Sequence, residues 1–166
     1  MPLDRFSAAW RERYVTSAFN NEFDDERKEC VFCVLGVEAV DGSTGVLKKS
    51  TYNFVVLNAF PYGSGHLLVV PYRHVASLDE LSDDEYLDLS TLLRDVATAL
   101  TKAYEPDGMN VGMNLGTAAG AGIPKHLHAH ALPRWSGDTN FMTSIGETRV
   151  LSESLESTWR KVHAHL

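Results

Sequence analysis

The sequence has few cysteines and no long apolar run. Its two cysteines, Cys30 and Cys33, are too few for the disulfide framework of a small secreted domain. No apolar stretch approaches the roughly 18 residues needed to cross a bilayer. Residues 1–13 also lack the continuous apolar core of a secretion signal. We therefore expect a cytoplasmic protein with no membrane partner.

Positive charge is also scarce. The chain has 15 lysines and arginines against 22 aspartates and glutamates, which gives a formal net charge of −7. Because nucleic-acid backbones are held by clustered lysine and arginine, this balance argues against a nucleic-acid partner. A small phosphorylated ligand remains compatible with it, since a few local donors can overcome a distant negative field.

What is present is typical of a globular protein. Hydrophobic residues make up 44% of the chain and charged residues 22%, close to average usage. A length of 166 residues suits one domain that buries a substantial core. We find no internal repeat and no linker, so we expect residues 1–166 to form a single domain.

Apolar periodicity predicts helices on either side of sheet-forming segments. The clearest helix begins behind a capping box formed by Ser82 and Glu85. A glycine-containing break at 41–45 suits a hairpin turn with strands on both sides, and residues 58–65 suit a tight connection. We expect helices over 4–16, 83–104 and 153–165, a loop over 20–29, and strands over 51–57, 66–70, 109–115 and 126–132. This order favours an α+β domain in which helices pack on an antiparallel sheet.

Three histidines alternate with apolar residues near the end of the sheet-forming region. In a strand, His126, His128 and His130 would stand about 6–7 Å apart on one face. Burying three imidazoles on an otherwise apolar strand is costly unless each has a hydrogen-bond or metal partner. The pattern therefore indicates a chemical site. A surface strand with a histidine face and a tri-histidine metal site are the alternatives.

A segment rich in small residues precedes these histidines. Residues 114–122 include Asn114, Gly120 and Gly122, and backbone N–H groups of such a loop can approach phosphate oxygens closely. Taken alone, a loop of this kind is more often an ordinary turn. Next to the histidines, it indicates a phosphate cradle.

The histidine pattern resembles that of the histidine triad (HIT) family. Residues 126–132 fit the family motif position for position, and the resemblance extends back through 30–33, 58–74 and Asn114. It therefore covers roughly residues 30–135 and implies a HIT-like fold.

Two further segments narrow the resemblance within the family. Residues 70–74 and 133–141 are most similar to the bacterial branch that resembles diadenosine tetraphosphate phosphorylases. Residues 122–123 differ from the Gln-Ser or similar pair of the small hydrolase type, so recognition of the leaving group must differ.

The resemblance implies a nucleotidyl-histidine mechanism. His128 would attack the phosphorus attached to the nucleoside, because neutral imidazole is a competent nucleophile near pH 7. Its second nitrogen must donate a hydrogen bond, and we expect a backbone carbonyl as the acceptor. His130 would hold phosphate oxygens or assist the leaving group, and Asn114 would donate to the α-phosphate.

The resemblance also implies contacts with the nucleoside. Asn58 occupies the place of an acidic residue that usually binds the ribose hydroxyls, and an amide can still accept one hydroxyl. Phe32 and Leu35 match positions that line the base pocket, although ordinary core packing accounts for them equally well. His66 matches a recurrent family histidine, for which we expect a buried hydrogen bond that shapes the site.

The cysteine pair is a candidate for a metal site. The spacing Cys30-x-x-Cys33 lets both sulfurs reach one tetrahedral ion, which needs two more ligands. By resemblance to zinc-bearing HIT proteins and the related uridylyltransferases, these would be His74 and His126. Four protein ligands imply structural zinc that braces His126 beside the nucleophile. A thiol redox pair or two buried thiols are the alternatives.

The implied function is nucleotidyl transfer or cleavage of dinucleoside polyphosphates. The favoured reaction is phosphorolysis of diadenosine tetraphosphate to ADP and ATP, with inorganic phosphate as co-substrate. Alternatives are hydrolysis, cleavage of nucleoside phosphoramidates, hexose-phosphate nucleotidyl transfer, and nucleotide binding without turnover. The transferase relative usually has glutamine where this chain has His130. Family analogy also predicts a homodimer that joins sheets edge to edge.

Overall fold

The computed structural model describes residues 30–140, 145 and 151–166. The helix expected over 4–16 and the loop expected over 20–29 lie outside the described residues. Across the described part of the chain, no helix is long and apolar enough to cross a membrane. Cytoplasmic localisation and the single-domain organisation of residues 1–166 stay predictions.

The strands of the described residues form one five-stranded sheet in which every neighbouring pair is antiparallel. The strand order is β1-β2-β3-β5-β4, so β1 and β4 are the edges. The strands are β1 (Val46–Lys49), β2 (Asn53–Leu57), β3 (Leu67–Pro71), β4 (Gly108–Met113) and β5 (Ala129–Arg134). Together with the helices, this sheet confirms the predicted α+β fold class.

Three α-helices are found in the described residues: α1 (Val31–Val37), α2 (Asp83–Tyr104) and α3 (Leu155–His163). Helix α2 has the predicted bounds because both bonds of the capping box between Ser82 and Glu85 form. Helix α3 is shorter at each end than the predicted helix over 153–165. Its N-cap is Ser154, whose hydroxyl accepts a hydrogen bond from the backbone N–H of Ser157.

The sheet is covered on both faces, which explains why β2 and β3 are buried along their whole length. Successive side chains of a strand alternate between the faces. Thus Val55 and Val69 belong to the cluster that includes α2, whereas Phe54 and Val70 belong to the cluster that includes α1. This division leaves α1 on the face opposite to α2.

The strand predicted before the turn at 41–45 is wrong. A strand was expected on each side of the turn at 41–45, but α1 precedes the turn, and only the isolated bridge between Asp41 and Val46 crosses it. Short apolar runs do not separate strand from helix by periodicity alone. Here Phe32 and Leu35, three residues apart, bury one side of α1 against the sheet, which favours the helix.

The turn after β3 is fastened to the start of α2 by an ion pair. Arg73 donates through Nε to Glu85 Oε1 at 2.8 Å and through a terminal nitrogen to Oε2 at 2.9 Å. The same Oε2 accepts the backbone N–H of Ser82 at 2.7 Å in the capping box. Glu85 therefore fixes both the helix start and the turn that carries His74.

We expect Glu85→Gln to lower the free energy of unfolding by about 1 kcal/mol at pH 7, the scale of a partly exposed ion pair. Arg73, then Ser82, lowers the pKa of Glu85 from 4.5 to about 2. The contribution is therefore present above pH 4.5 and is lost as pH falls through about 2. Denaturant unfolding of the wild type and of Glu85→Gln measures this between pH 7 and pH 3. The difference between their free energies of unfolding should decrease as the pH falls.

Asp84→Asn is the matched control, because Asp84 is an exposed carboxylate in the same helical turn. It should change stability less than Glu85→Gln. Equal losses in the two variants, or a difference that does not narrow on acidification, would contradict the role given to Glu85.

Candidate active site and metal centre

Two cysteines and two histidines converge between α1 and the sheet. Cys30 is the N-cap of α1, Cys33 lies within its first turn, His74 follows β3, and His126 precedes β5. One ligand atom of each lies within 4.8 Å of the others. The predicted four-residue cluster is thus brought together by the fold, close enough to bind one metal ion.

The distances within this cluster suit a tetrahedral ion. His126 Nδ1 lies 3.3 Å from Cys30 Sγ and 3.6 Å from Cys33 Sγ, and His74 Nδ1 lies 3.4 Å from Cys33 Sγ. A tetrahedron built with usual zinc–sulfur and zinc–nitrogen bond lengths has S···N edges of about 3.5 Å. Two thiolates with two imidazoles form a donor set that zinc prefers.

His126 is held in the form that a metal ligand needs. Its Nε2 lies 2.9 Å from the carbonyl oxygen of Pro71. A carbonyl only accepts hydrogen bonds, so Nε2 carries the proton and the lone pair of Nδ1 faces the cysteines. Burial lowers the pKa of His126 to about 4, which keeps the ring neutral near pH 7.

His128 is anchored through its other ring nitrogen. Its Nδ1 donates to the carbonyl oxygen of His126 at 2.8 Å, as the sequence analysis expected of the nucleophile. The proton therefore resides on Nδ1, and Nε2 keeps its lone pair. Burial lowers the pKa of His128, so the neutral form prevails at pH 7. The Phe32 ring lies 5.1 Å from that of His128, centroid to centroid.

His130 lies beside His128, with the ring centroids 5.0 Å apart. Its Nδ1 is 2.9 Å from His66 Nε2. Its Nε2 is buried without a hydrogen-bond partner among the described residues. Burial, and then the neighbouring His128, lowers the pKa of His130 to about 4. A buried ring nitrogen that has no partner among the described residues is suited to binding an incoming ligand.

The strand prediction at the triad needs a correction. Residues 126–132 were expected to be extended throughout, but β5 begins at Ala129. The backbone N–H of Leu127 bonds to Val75 in the turn after β3, which takes it out of the sheet ladder. The separation of the two faces is nevertheless confirmed. Ala129 and Ala131 pack in the core with α2.

A cavity of about 700 Å³ opens beside His130, within the size range of small-molecule sites. His130 and Asn114 lie in its wall together with Tyr62, Arg134 and Trp135. No motif in the sequence predicts Tyr62, Arg134 or Trp135 individually as site residues. Their only signal was that residues 58–74 and 133–141 resemble those of family members.

The remaining predicted substrate contacts are placed around this site. Phe32 and Leu35 are buried in the core cluster with α1, and Phe32 also contacts the triad. Asn58 is buried, and its Oδ1 accepts the backbone N–H of Phe60 at 2.9 Å while its Nδ2 faces His66. Its contact with ribose, like the base contacts of Phe32 and Leu35, stays a prediction.

The glycines of the proposed cradle lie on the surface of the connection between β4 and β5. Gly120 ends a short 3₁₀ turn (Thr117–Ala119) with φ of 87°. A Cβ placed at Gly120 or Gly122 would meet nothing within 4 Å. The backbone N–H of Gly120 already donates to the carbonyl of Thr117 at 3.0 Å. Neither glycine is among the residues that line the 700 Å³ cavity.

The amino-acid sequence matches a known protein family. The HIT domain model matches residues 42–137. The chain belongs to the HIT family. This confirms the family resemblance inferred from the histidine pattern.

Two relatives of this HIT protein are informative. It is 43% identical over 115 residues to an AP-4-A phosphorylase of Mycobacterium tuberculosis, a match that covers 69% of this chain and 59% of the relative. The chain thus spans less than two thirds of that relative. It is 33% identical over 93 residues to the asymmetrical bis(5'-nucleosyl)-tetraphosphatase of Schizosaccharomyces pombe, covering 56% of this chain and 50% of the relative.

The fold is shared with a solved structure of a zinc-bound histidine triad family protein from Mycobacterium smegmatis. The TM-score is 0.67 with 23% sequence identity, over 84% of this chain and 94% of the other. At this identity the similarity establishes the fold. The 43% identity to the phosphorylase agrees with the branch indicated by residues 70–74 and 133–141.

Proposed function

We propose that this HIT protein cleaves dinucleoside polyphosphates, with diadenosine tetraphosphate as the preferred substrate, by way of a nucleotidyl-His128 intermediate that inorganic phosphate resolves. The observation that carries this proposal is the bond from His128 Nδ1 to the carbonyl of His126, which leaves Nε2 as a free nucleophile. The AP-4-A phosphorylase and tetraphosphatase names of two relatives support the substrate class.

The first step forms a phosphorus–nitrogen bond. His128 Nε2 attacks the α-phosphorus of one adenosine, and the bond from that phosphorus to the bridging oxygen breaks. The electron pair leaves with the oxygen, so ATP departs and AMP stays attached to His128. The neutral, buried imidazole needs no prior deprotonation at Nε2.

The second step regenerates the histidine. An oxygen of inorganic phosphate attacks the same phosphorus, and the phosphorus–nitrogen bond breaks with its electron pair returning to Nε2. The product is ADP, whose β-phosphate comes from the attacking phosphate. If water attacked instead, the product would be AMP, which is the outcome expected for the hydrolase alternative.

Two side-chain donors would hold the charge on the phosphate oxygens. His130 contributes its buried Nε2 and Asn114 its side-chain amide, both from the wall of the cavity. The surface around Gly122 is open, which leaves room for a second anion beside this loop. The short side chains of this loop thus favour phosphate as the resolving nucleophile.

Zinc fits the four-residue cluster as a structural ion. Cys30, Cys33, His74 and His126 would occupy all four positions of a tetrahedral site, which supplies stability rather than reaction chemistry. The zinc bound by the Mycobacterium smegmatis relative supports this choice of metal. Through His126, the cluster would hold the carbonyl that orients His128.

A homodimer remains part of the proposal. Strand β4 is an edge of the sheet, and its Val111 is 49% exposed. Unpaired backbone groups and an exposed apolar side chain on an edge favour pairing with a second copy.

We expect about one zinc ion per chain in protein purified without added metal. Cys33→Ser should lose zinc and several kcal/mol of the unfolding free energy, a decrease in Tm on the order of 10 °C. Elemental analysis and thermal unfolding measure these effects. Val34→Ser, an exposed position of the same helix, is the control and should retain zinc. Folded, zinc-free protein with two freely titratable thiols would refute the metal assignment.

The nucleophile is tested by His128→Asn. The asparagine amide can still donate to the carbonyl of His126, so we expect the fold and nucleotide binding to persist while turnover falls by roughly 10³-fold or more. In the absence of phosphate, mass spectrometry should detect adenylylated wild-type protein and none in the variant. His165→Asn, at an exposed position, should behave as wild type. Near-normal turnover by His128→Asn would rule out this nucleophile.

Product identity tests the resolving nucleophile. With diadenosine tetraphosphate and millimolar labelled phosphate, we expect ADP and ATP, with the label in the β-phosphate of ADP. AMP and ATP without incorporated label would show that water resolves the intermediate. Tight nucleotide binding with no product from dinucleoside polyphosphates or phosphoramidates would instead support the non-catalytic alternative.

A further inference from the structure

His66 is a buried histidine that the proposed mechanism does not use. It is 1% exposed and stands directly before β3. The preceding Gly65 has φ of 76°, and a Cβ there would come within 2.7 Å of Pro133. The backbone at Gly65 thus admits glycine alone without rearrangement, and this conformation directs the His66 ring between residues 58–62 and His130.

Two donors face Nδ1 of His66. The backbone N–H of Tyr62 donates to it at 3.0 Å. The amide nitrogen of Asn58 lies 3.2 Å from Nδ1 and 3.4 Å from Nε2. Since the Asn58 oxygen accepts the N–H of Phe60, the amide is oriented with its nitrogen toward His66. A main-chain N–H can only donate, so Nδ1 of His66 must be unprotonated.

The tautomer of His66 determines the tautomer of His130. With Nδ1 unprotonated, the neutral His66 ring carries its proton on Nε2, which then donates to His130 Nδ1 at 2.9 Å. Because His130 Nδ1 accepts this bond, the proton of its neutral ring resides on Nε2. That nitrogen is the buried atom beside His128 for which the described part of the chain offers no hydrogen-bond partner.

We propose that His66 is a positioning residue that fixes His130 as an Nε2–H donor, so that His130 donates a hydrogen bond to a phosphate oxygen at the reacting phosphorus. The catalytic role of His66 rests on the proposed function, whereas the assignment of the tautomers does not. An imidazole without this constraint exchanges between two tautomers and turns about its side-chain bonds. In the wrong tautomer, a lone pair of His130 would face the phosphate oxygen.

The arrangement gives the neighbouring histidines opposite tautomers. His128 carries its proton on Nδ1 because it faces the carbonyl of His126, and His130 carries its proton on Nε2 because the chain of donors begins at Tyr62 N–H. One ring thus offers a lone pair at Nε2, and its neighbour offers a proton at the same ring position.

Nitrogen-15 NMR of histidine-labelled, zinc-loaded protein at neutral pH tests the tautomers directly. Long-range proton–nitrogen correlations distinguish Nδ1–H from Nε2–H, and spectra of His130→Asn and His66→Gln identify the two rings. We expect Nε2–H for both His66 and His130. An Nδ1–H ring at His130 would overturn the proposal, whether or not the protein turns over diadenosine tetraphosphate.

Kinetics of two variants of similar volume separates positioning from packing. His66→Leu removes the donor, and we expect kcat to fall about ten- to a hundredfold with KM changed less than about threefold, below the roughly 10²–10³ loss for removing a whole oxyanion donor. His66→Gln keeps an N–H toward His130 and should retain kcat within about fivefold of wild type.

Two kinetic outcomes would overturn the proposal. One is an unchanged kcat in folded His66→Leu, and the other is an equal loss of kcat in the leucine and glutamine variants. If the leucine variant does not fold, the wild-type tautomers together with kcat of His66→Gln decide the question. If no substrate is turned over by the wild type, the proposed reaction fails while the tautomer measurement still stands.

Discussion

The site depends on the way that His126 is held. Its ring is fixed by the hydrogen bond from Nε2 to the carbonyl of Pro71, which turns Nδ1 toward the two cysteines. Its own carbonyl accepts Nδ1–H of His128. One residue therefore joins β3, the cysteine–histidine cluster and the candidate nucleophile. A displacement of α1, which carries Cys30 and Cys33, would reach His128 through this residue as well as through the ring of Phe32.

The antiparallel sheet lowers the free-energy cost of burying several imidazoles. Ala129 and Ala131 pack against α2, so the opposite face of β5 is left for His130, with His128 just before the strand. Each triad ring has at least one hydrogen bond of 2.9 Å or less. A buried polar group costs little when it is bonded and much when it is not. Nε2 of His130, which has no hydrogen-bond partner within the described ranges, is thus the place where a ligand would gain most.

Much of this architecture could be predicted from the sequence because the signals were local. The capping box and the three- and four-residue spacing placed α2, and the alternation of histidine with apolar residues separated the two faces around β5. The two cysteines and the histidines at 74 and 126 were assigned to one site by resemblance. Their separations along the sequence do not by themselves show that the four side chains meet.

What could not be predicted depends on tertiary contacts. The run that became α1 was too short for periodicity to exclude a strand, and packing of Phe32 and Leu35 on the sheet decided it. The cavity residues Arg134 and Trp135 carry no motif of their own. The pairing of β4 with β5 sets Arg134 opposite Gly108, and Asn114 follows the other end of β4, so both ends of this strand pair line one cavity. The contacts of the Asn58 amide inside the protein carried no sequence signal: its Oδ1 accepts the backbone N–H of Phe60, and its Nδ2 lies 3.2 Å from His66 Nδ1.

Strand geometry does not determine which ring nitrogen of each triad histidine carries the proton. A two-residue period places side chains on one face, but it makes the rings equivalent, whereas the chemistry requires a nucleophile next to a donor. The difference arises from the main chain around them, since a carbonyl at His126 and an N–H at Tyr62 impose opposite proton positions. Main-chain groups cannot exchange these roles, so the asymmetry persists as long as the backbone does. The connection of residues 58–65 is therefore part of the site, although it contributes no histidine of the triad.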